Sequence, residues 1–487
     1  MKPHVILIMA DQLRADVLGK GYTPTIDALI EESVAFNRTY CASPLCVPSR
    51  GAFFSGLYPN TNGSLINPWE PKDAHYGDIK AGIDTLYTLM ENEWASIHSG
   101  KQHVFTEGGK LEDRKDSDTN FIATEATYKK FLQQEGKNAP GGDAFRTRIP
   151  EMIDGRVTKT SKYSTAEIGV YDQGSQYFYD IYYANKAVEG LRSRNKDKPV
   201  LLNAMFVAPH PPFQIPEPWY SAVEADSFEL PQNVGFYSAY QSPLQMYNLP
   251  GIIGTRYSRK QWKDSWRVYL GLVALLDDCV KQILDELKSQ GIYDDSLIIF
   301  TSDHGEMLGS HGLFQKMCMY EEAVRLPLSL KFPKELDVKP RILSDLVSNI
   351  DIFPTLCEYL GLRPSQQLQG RSLLQRILDT EALDDNRSVF IQYDGNGSRS
   401  NFQRCIIRGR YKLIVDLFKD ETYYELYDLF SDPQEQTNLL FSCGYSEIAE
   451  SLFTKLKNHM QETGDLIDLK PFDVEGFCKD YVSFASR

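Results

Sequence analysis

Short apolar runs alternate with stretches of helical periodicity along most of the chain. Residues 5–9, 199–207 and 296–301 are apolar runs of strand length, and each leads into polar residues. Residues 262–290 have the apolar spacing of a long amphipathic helix, which Gly291 is expected to end. This alternation predicts an α/β fold, with a mostly parallel sheet covered by helices.

The pattern changes across residues 378–387, a mostly polar and acidic stretch that we interpret as a link between domains. Four strand-like runs and one helical stretch follow it, at residues 388–393, 403–408, 411–416, 424–429 and 446–462. We therefore predict a larger α/β domain over residues 1–378. A C-terminal α+β subdomain, built on a smaller antiparallel sheet, is predicted over residues 388–487.

Polar side chains stand where three predicted strands end, namely Asp11, His210 and Asp303. Ligands of open α/β sheets bind at the carboxyl ends of the strands, so these side chains are expected to share one site. Residues 108–165 and 232–255 are rich in polar residues, glycine, tyrosine or proline. They are predicted to be surface excursions that form walls beside the site.

Composition narrows the classes of function. A chain of 487 residues with 42% hydrophobic content can bury a large core. The net charge of −14 argues against nucleic acid as a partner, and no apolar run has the length of a membrane span. The eight cysteines are irregularly spaced, which favours free thiols. We expect a cytoplasmic protein if Met1 is the native start, and a periplasmic one if a signal peptide has been removed.

The run from Cys46 to Gly56 combines a cysteine with a helix start. Pro48 suits a first helical turn, and a helix beginning here would direct backbone N–H groups at an anion. Arg50 lies one turn beyond Cys46, where a guanidinium can offset negative charge that develops on a nucleophile. The alternative is that Cys46 is an inert thiol before a buried helix.

Two polar pairs, Asp11-Gln12 and Asp303-His304, each follow a predicted strand. Together they offer two carboxylates, an amide oxygen and an imidazole, which suit a divalent cation beside Cys46. The alternative is that Asp11 and Asp303 only cap the helices after their strands.

Further charged and titratable residues complete the candidate chemistry. Lys101 and His103 would face the same side of an extended segment, because side chains alternate along a strand. His210 stands in a proline-rich turn, and Lys316 follows His304 after a short loop. Two lysines can bracket an anion, and a histidine can move a proton. Each residue alone is more often a solvated charge or a structural histidine.

The segment Cys46-Val47-Pro48-Ser49-Arg50, with Gly56, resembles the signature of the sulfatase family. The other motifs follow in the family's order, including Lys101-Gln102-His103, Pro209-His210 and Asp303-His304-Gly305, and a late stretch, Gly409-Arg410-Tyr411-Lys412-Leu413, is also similar. The resemblance extends over nearly the whole chain. It implies an alkaline-phosphatase-like α/β domain, a small C-terminal antiparallel sheet and a sulfuric ester hydrolase activity.

The family's chemistry implies roles for these residues. In sulfatases a formylglycine-generating or sulfatase-maturating enzyme converts the cysteine to formylglycine, whose hydrate is the nucleophile. The resemblance implies metal ligands at Asp11, Gln12, Cys46, Asp303 and His304. It implies that the sulfate and its protons are handled by Arg50, Lys101, His103, His210 and Lys316. We assign His103 to the hydrate and His210 to the leaving oxygen.

Gln12 and His304 depart from the common family pattern, which has a second carboxylate and an asparagine at these places. The site is therefore less anionic, and a borderline ion such as manganese becomes more favourable. Calcium, the family's usual metal, is expected first, with manganese and magnesium as alternatives.

The Asp-Gln start also resembles bacterial sulfatases of glycosaminoglycan fragments, some of which remove the 2-O-sulfate of uronic acids. It implies a sulfated small molecule or oligosaccharide as substrate. The same two pairs resemble phosphonate monoester and phosphodiester hydrolases of this superfamily, which are the enzymatic alternative. A non-catalytic binding protein with unmodified Cys46 is the alternative from another class.

Overall fold

The computed structural model describes residues 2–107, 109–115, 117–153, 156–379 and 386–485. Its strands, in chain order, are β1 (His4–Asp11), β2 (Val34–Tyr40), β3 (Asp78–Ile79), β4 (Ala95–Gly100), β5 (Phe105–Thr106), β6 (Gly109–Lys110), β7 (Asn120–Ala123), β8 (Arg146–Ile153), β9 (Arg156–Ser164), β10 (Ile168–Val170), β11 (Val200–Pro209), β12 (Phe213–Ile215), β13 (Ser296–Ser302), β14 (Arg325–Lys331), β15 (Arg341–Leu343), β16 (Val347–Ser348), β17 (Ser388–Tyr393), β18 (Phe402–Arg408), β19 (Tyr411–Phe418) and β20 (Glu421–Asp428). Its α-helices are α1 (Pro24–Glu31), α2 (Cys46–Ser55), α3 (Pro59–Asn62), α4 (Leu86–Met90), α5 (Glu125–Glu135), α6 (Tyr179–Ser193), α7 (Leu249–Gly254), α8 (Arg259–Ser289), α9 (Glu321–Val324), α10 (Ile352–Leu360), α11 (Leu374–Ile377), α12 (Ser446–Glu462) and α13 (Val474–Ala485).

A nine-stranded sheet forms the centre of the molecule, in the order β15-β2-β14-β13-β1-β11-β4-β7 with β16 beside β2. Its strand pairs are parallel except for those that β14 makes with β13 and β2. The three apolar runs that predicted buried strands are β1, β11 and β13, which are neighbours at the middle of the sheet. The predicted α/β class and mostly parallel sheet are confirmed.

Alternate side chains of β1 enter two cores on opposite faces of the sheet. Ile6 and Ile8 pack on the face covered by α8, whereas Leu7 and Met9 pack on the face covered by α4 and α10. The predicted long helix is α8, and Gly291, with a φ of 70°, lies just beyond its end.

The C-terminal strands β17 to β20 form a four-stranded antiparallel sheet in sequence order, as predicted. Leu413 and Val415 on one face pack against α12, whereas Cys405 and Tyr427 join the core of the large sheet. Residues 380–385 of the predicted linker lie outside the described residues. The division into residues 1–378 and 388–487 stays a prediction.

The two predicted surface excursions contain more structure than expected. In the first, β7 adds an edge strand to the large sheet and β8 pairs with β9 as a hairpin; positions 108, 116, 154 and 155 lie outside the described residues. In the second, Leu244, Leu249 and Ile253 are buried, because these apolar residues recur on one side of short helical turns. Across the described part of the chain, no helix combines the length and apolar character that a membrane crossing requires.

Candidate active site

The predicted strand-end residues meet at one edge of the large sheet. β1 ends at Asp11, which stands in register with Pro209 of β11, and Ala10 is in register with Ser302 of β13. Asp303 and His210 therefore follow their strands at the same edge. Helix α2 begins at Cys46 beside them, with Pro48 in its first turn as predicted.

Four buried side chains converge to form a site with the donors of a metal centre. Donor atoms of Asp11, Cys46, Asp303 and His304 all lie within 4.8 Å of one another. Sγ of Cys46 is 3.2 Å from Nε2 of His304 and 3.9 Å from Oδ1 of Asp11. This sulfur stands in for the first oxygen of a formylglycine side chain, because both are bonded to Cβ.

Arg50 joins the two carboxylates from the next turn of α2. Its side chain is fully buried; Nε donates to Asp303 at 2.9 Å and an NH2 group donates to Asp11 at 3.2 Å. Lys101 adds a second cation, with Nζ 2.6 Å from Asp11 and 3.9 Å from the sulfur of Cys46. Burial opposes ionisation of Asp11, but the charges of Lys101 and Arg50 outweigh it and hold its pKa well below the usual range.

The same cations favour an ionised group at position 46. Burial and the charge of Asp11 would raise the pKa of the Cys46 thiol, yet Lys101, Lys316 and His304 bring this pKa well below its usual value. A side chain that gains negative charge at this position is therefore stabilised by its surroundings.

The donor set fits a divalent cation. Burial and the nearby charge of Asp11 raise the pKa of Asp303, despite the opposing effects of His304 and Arg50. Positive charge between the two carboxylates would offset this repulsion, and carboxylate oxygens with one imidazole suit calcium, magnesium or manganese. Asp11, Asp303, His304 and position 46 would hold such an ion.

Gln12 lies between two charged side chains. Its Oε1 accepts a hydrogen bond from Nζ of Lys316 at 2.6 Å, and its Nε2 donates to Glu306. Its backbone N–H donates to Asp303 at 3.2 Å. Gln12 thus lies beside the metal-type cluster and orients Lys316, and its role as a metal ligand stays a prediction.

His210 lies at the same edge with one ring nitrogen engaged. Its Nδ1 is 2.5 Å from the carbonyl oxygen of Pro211, so Nε2 is the nitrogen that remains for proton transfer. Burial, followed by the charges of Lys316 and Lys101, keeps the pKa of His210 well below its usual value. An uncharged imidazole next to these lysines can accept a proton.

His103 contacts residues outside the metal-type cluster. Its Nε2 is 3.3 Å from Glu125 at the start of α5, and its ring centroid is 5.4 Å from that of Trp69. The assignment of His103 to the nucleophile stays a prediction.

Several positioning residues were missed by the sequence reasoning. Glu306 is buried, accepts hydrogen bonds from the backbone of Leu308 and Gln315, and has a pKa raised to about 7 by burial. Asn67 accepts from the N–H of Val47 at 3.1 Å, next to Cys46. Of these residues, only Glu306 could have been found from the sequence, because it follows Asp303 by three positions.

Residues 3–362 match the family model described as Sulfatase. This chain belongs to the sulfatase family. Residues 309–462 also match the model described as N-sulphoglucosamine sulphohydrolase, C-terminal, which overlaps the end of the first match. The predicted family is thereby confirmed, and the protein is an enzyme of the sulfatase type.

Known proteins resemble this sulfatase over most of its length. Choline-sulfatase of Rhizobium meliloti (strain 1021) is 26% identical over 459 residues, which cover 90% of this chain and 82% of the relative. The crystal structure of the phosphonate monoester hydrolase of Agrobacterium radiobacter has a TM-score of 0.75 and 22% identity, with 95% of this chain and 96% of that chain covered. A structure described as a 2-O GAG sulfatase has a TM-score of 0.72 and 20% identity, with 96% and 93% covered. Both structures share the fold.

Lys316 offers a test of the site within this family. We expect Lys316→Met to lower kcat/KM for a sulfate ester by about tenfold or more, because the charge beside Cys46 and Gln12 is lost. The measurement is a steady-state assay with 4-nitrophenyl sulfate. Lys331→Met is the matched control. Lys331, at the end of β14, is also buried, but its Nζ donates to the carbonyl of Tyr293, away from Cys46. Equal kcat/KM in both variants would mean that Lys316 does not act on the substrate.

Proposed function

We propose that this protein hydrolyses sulfuric esters with formylglycine at position 46 and a divalent metal ion beside it. The observation that carries the proposal is the position of Cys46 at the start of α2, 3.2 Å from His304 and 3.9 Å from Lys101. As a formylglycine hydrate, position 46 would supply an oxygen nucleophile and a second hydroxyl whose deprotonation releases the transferred group. A bound cation would supply positive charge to the nucleophile and the sulfate oxygens.

The surrounding side chains have distinct roles in this proposal. Arg50 is held by Asp11 and Asp303, so it positions the carboxylates and offsets their charge. Lys101 and Lys316 approach Cys46 from different elements and would bracket the sulfate. His210, whose low pKa keeps it uncharged at rest, would accept at Nε2 the proton that the attacking hydroxyl loses and would then give this proton to the leaving oxygen. We keep calcium as the first metal, with manganese and magnesium as alternatives.

We further propose a sulfated carbohydrate as substrate, with the 2-O-sulfate of a glycosaminoglycan uronic acid as a specific candidate. The similarity to a 2-O GAG sulfatase supports it. At the rim, Trp69 is 47% exposed next to His103 and offers a surface on which a sugar ring can stack. Two positions before Trp69, Nδ2 of Asn67 donates to Oδ1 of Asn396 at 3.1 Å. Asn396 lies on the same loop as Arg399. Gln392 and Tyr393, on the strand before this loop, are buried.

Hydrolysis of phosphonate monoesters is the second candidate function. The Asp11-Gln12 and Asp303-His304 pairs favour it, as does the similarity to the hydrolase of Agrobacterium radiobacter. A phosphonate monoester carries one negative charge, as a sulfate ester does, so Lys101 and Lys316 would suit either transferred group.

The deciding experiment combines mass spectrometry with activity on one sample. The protein is produced with a formylglycine-generating enzyme, the peptide that contains residue 46 is weighed, and hydrolysis of 4-nitrophenyl sulfate and of a phenylphosphonate ester is assayed. An aldehyde mass with preferred sulfate cleavage is expected. An aldehyde with preferred phosphonate cleavage would select the second function, and an unmodified, inactive protein would select the binding-protein alternative.

Gln12 provides a prediction about the metal. We expect Gln12→Asp to shift the metal preference toward calcium, because a carboxylate would replace an amide beside the cluster. The measurement is kcat/KM after chelation and reconstitution with calcium, manganese or magnesium. Gln134→Asp on the exposed side of α5 is the control. An unchanged order of the three metals would mean that residue 12 is not a ligand.

A further inference from the structure

A second group of potential metal ligands lies outside the catalytic cluster. It consists of His311, Glu322 and Glu435, whose donor atoms all lie within 4.8 Å of one another. Glu322 belongs to α9, His311 lies in the loop that leads to Lys316, and Glu435 lies in the turn after β20.

Several polar atoms at this group lack a partner among the residues that the structure describes. They are Nε2 of His311, Oε2 of Glu322 and Oδ1 of Asn233, and the His311 and Asn233 side chains are almost fully buried. The carbonyl of Gln434 lies near the His311 ring, but no hydrogen bond of acceptable geometry joins it to Nε2. Buried polar groups are normally satisfied, so these atoms point to an unaccounted ligand.

The His311 ring is held in one orientation. It stacks on Tyr320, with centroids 4.0 Å apart and an interplanar angle of 7°, and Nδ1 is 3.3 Å from the hydroxyl oxygen of Ser238. A hydrogen bond at Nδ1 leaves Nε2 available, which is the usual arrangement of a metal-binding histidine. Asn233 is held in turn by its Nδ2, which donates to Oε1 of Glu322 at 2.7 Å.

The group also carries more negative than positive charge. Lys412 is the cation that contacts it, and its Nζ lies 2.8 Å from both Glu321 and Glu435. Glu321 and Glu435 therefore share this lysine, with Arg325 beside Glu321 at 3.7 Å. A further cation would balance the remaining charge.

We propose that His311, Glu322 and Glu435 form a second divalent-cation site, with zinc as its ion and the amide oxygen of Asn233 as an additional ligand. One imidazole, two carboxylates and one amide oxygen would supply the four ligands of a tetrahedral zinc site. Glu322 also lines a cavity of about 900 Å³, together with the cations Arg14, Lys20 and Arg325.

The proposed ion would tie together three segments around the catalytic lysine. His311 lies five positions before Lys316, and its N–H donates to the carbonyl of Asn233 at 3.0 Å. The carbonyl of Glu322 accepts from the N–H of Glu306 at 2.8 Å, and Glu306 contacts Gln12. The site is therefore a structural clamp that holds the Lys316 loop against the C-terminal turn, separate from the reacting atoms.

Zinc stoichiometry tests this site independently of activity. Full-length Asp303→Asn and Asp303→Asn/His311→Ala proteins are equilibrated with zinc chloride, dialysed and analysed by inductively coupled plasma mass spectrometry. We expect the second protein to hold about one molar equivalent less than the first. Asp303→Asn/His75→Ala, which removes an exposed histidine instead, should hold as much as Asp303→Asn. Equal zinc in all three proteins would overturn the proposal.

A second measurement covers the case in which the His311 variant does not fold. Zinc at stoichiometric excess is expected to raise the thermal unfolding midpoint of the Asp303→Asn protein, and to raise that of Asp303→Asn/Glu322→Gln much less. Equal shifts in the two proteins, or none in either, would overturn the site. Neither readout involves turnover, so failure of the proposed hydrolase function and failure of this site are distinguishable.

Discussion

Replacement of Cys46 by alanine is expected to abolish hydrolysis of sulfate esters, with kcat/KM reduced by on the order of a thousandfold or more. The expected size follows from the site's arrangement. Lys101 and His304 converge on the atom bonded to Cβ of residue 46, so their charge has no developing anion to stabilise once that atom is gone. Steady-state assays with 4-nitrophenyl sulfate, on protein that has been exposed to a formylglycine-generating enzyme, provide the measurement.

Cys357→Ala is the matched control for this change. Cys357 is a buried cysteine of α10 that packs in the core on one face of the large sheet, so its replacement removes a thiol without touching the catalytic cluster. Both variants should keep the circular dichroism spectrum of the unaltered protein. Substantial residual turnover in Cys46→Ala would exclude covalent catalysis through residue 46.

Asp303→Asn is expected to lower kcat/KM by about a hundredfold or more and to reduce the metal content by about one equivalent. Asn keeps the shape of the side chain and an oxygen that can accept from Arg50, so the fold should be retained. The change removes one of the two carboxylates that face His304 and Cys46. Kinetics across a calcium titration, with metal analysis of the same protein, would measure both effects.

Asp294→Asn is the control, because Asp294 is a half-exposed carboxylate whose partner is Lys334, outside the catalytic cluster. Its kinetics and metal content should equal those of the unaltered protein. If Asp303→Asn also retained full activity and its full metal content, the carboxylate pair would not be a metal site.

Much of the catalytic cluster was predictable because its residues lie next to strong local patterns. Asp11 and Asp303 directly follow apolar runs, and parallel neighbouring strands bring their carboxyl ends to one edge. Cys46 and Arg50 occupy successive turns of one helix, so their spacing alone places them on one face. The C-terminal strands were predictable for the same reason, since turns separate short runs that pair with their nearest neighbours in sequence.

Contacts between distant segments were not predictable. Glu306 and Gln12 are 294 positions apart, and their contact depends on β1 and β13 lying side by side. His103 pairs with Glu125 only because α5 begins above the Lys101 segment, which no local pattern of the sequence reports. The burial of Leu244, Leu249 and Ile253 was missed because polar and proline-rich composition indicates loops in general, whereas the few apolar side chains decide where a loop packs.

The sequence by itself determined the family and the α/β class and indicated the residues of the candidate site, because these depend on residue types at short spacings and on the alternation of apolar runs. The tertiary structure alone decided which charges neutralise one another, and so the ionisation of Cys46, Asp303 and His210. It also brought His311, Glu322 and Glu435 together from three segments of the chain. Ionisation depends on burial and on distances of a few ångströms, and both arise only when segments that are far apart in the chain pack together.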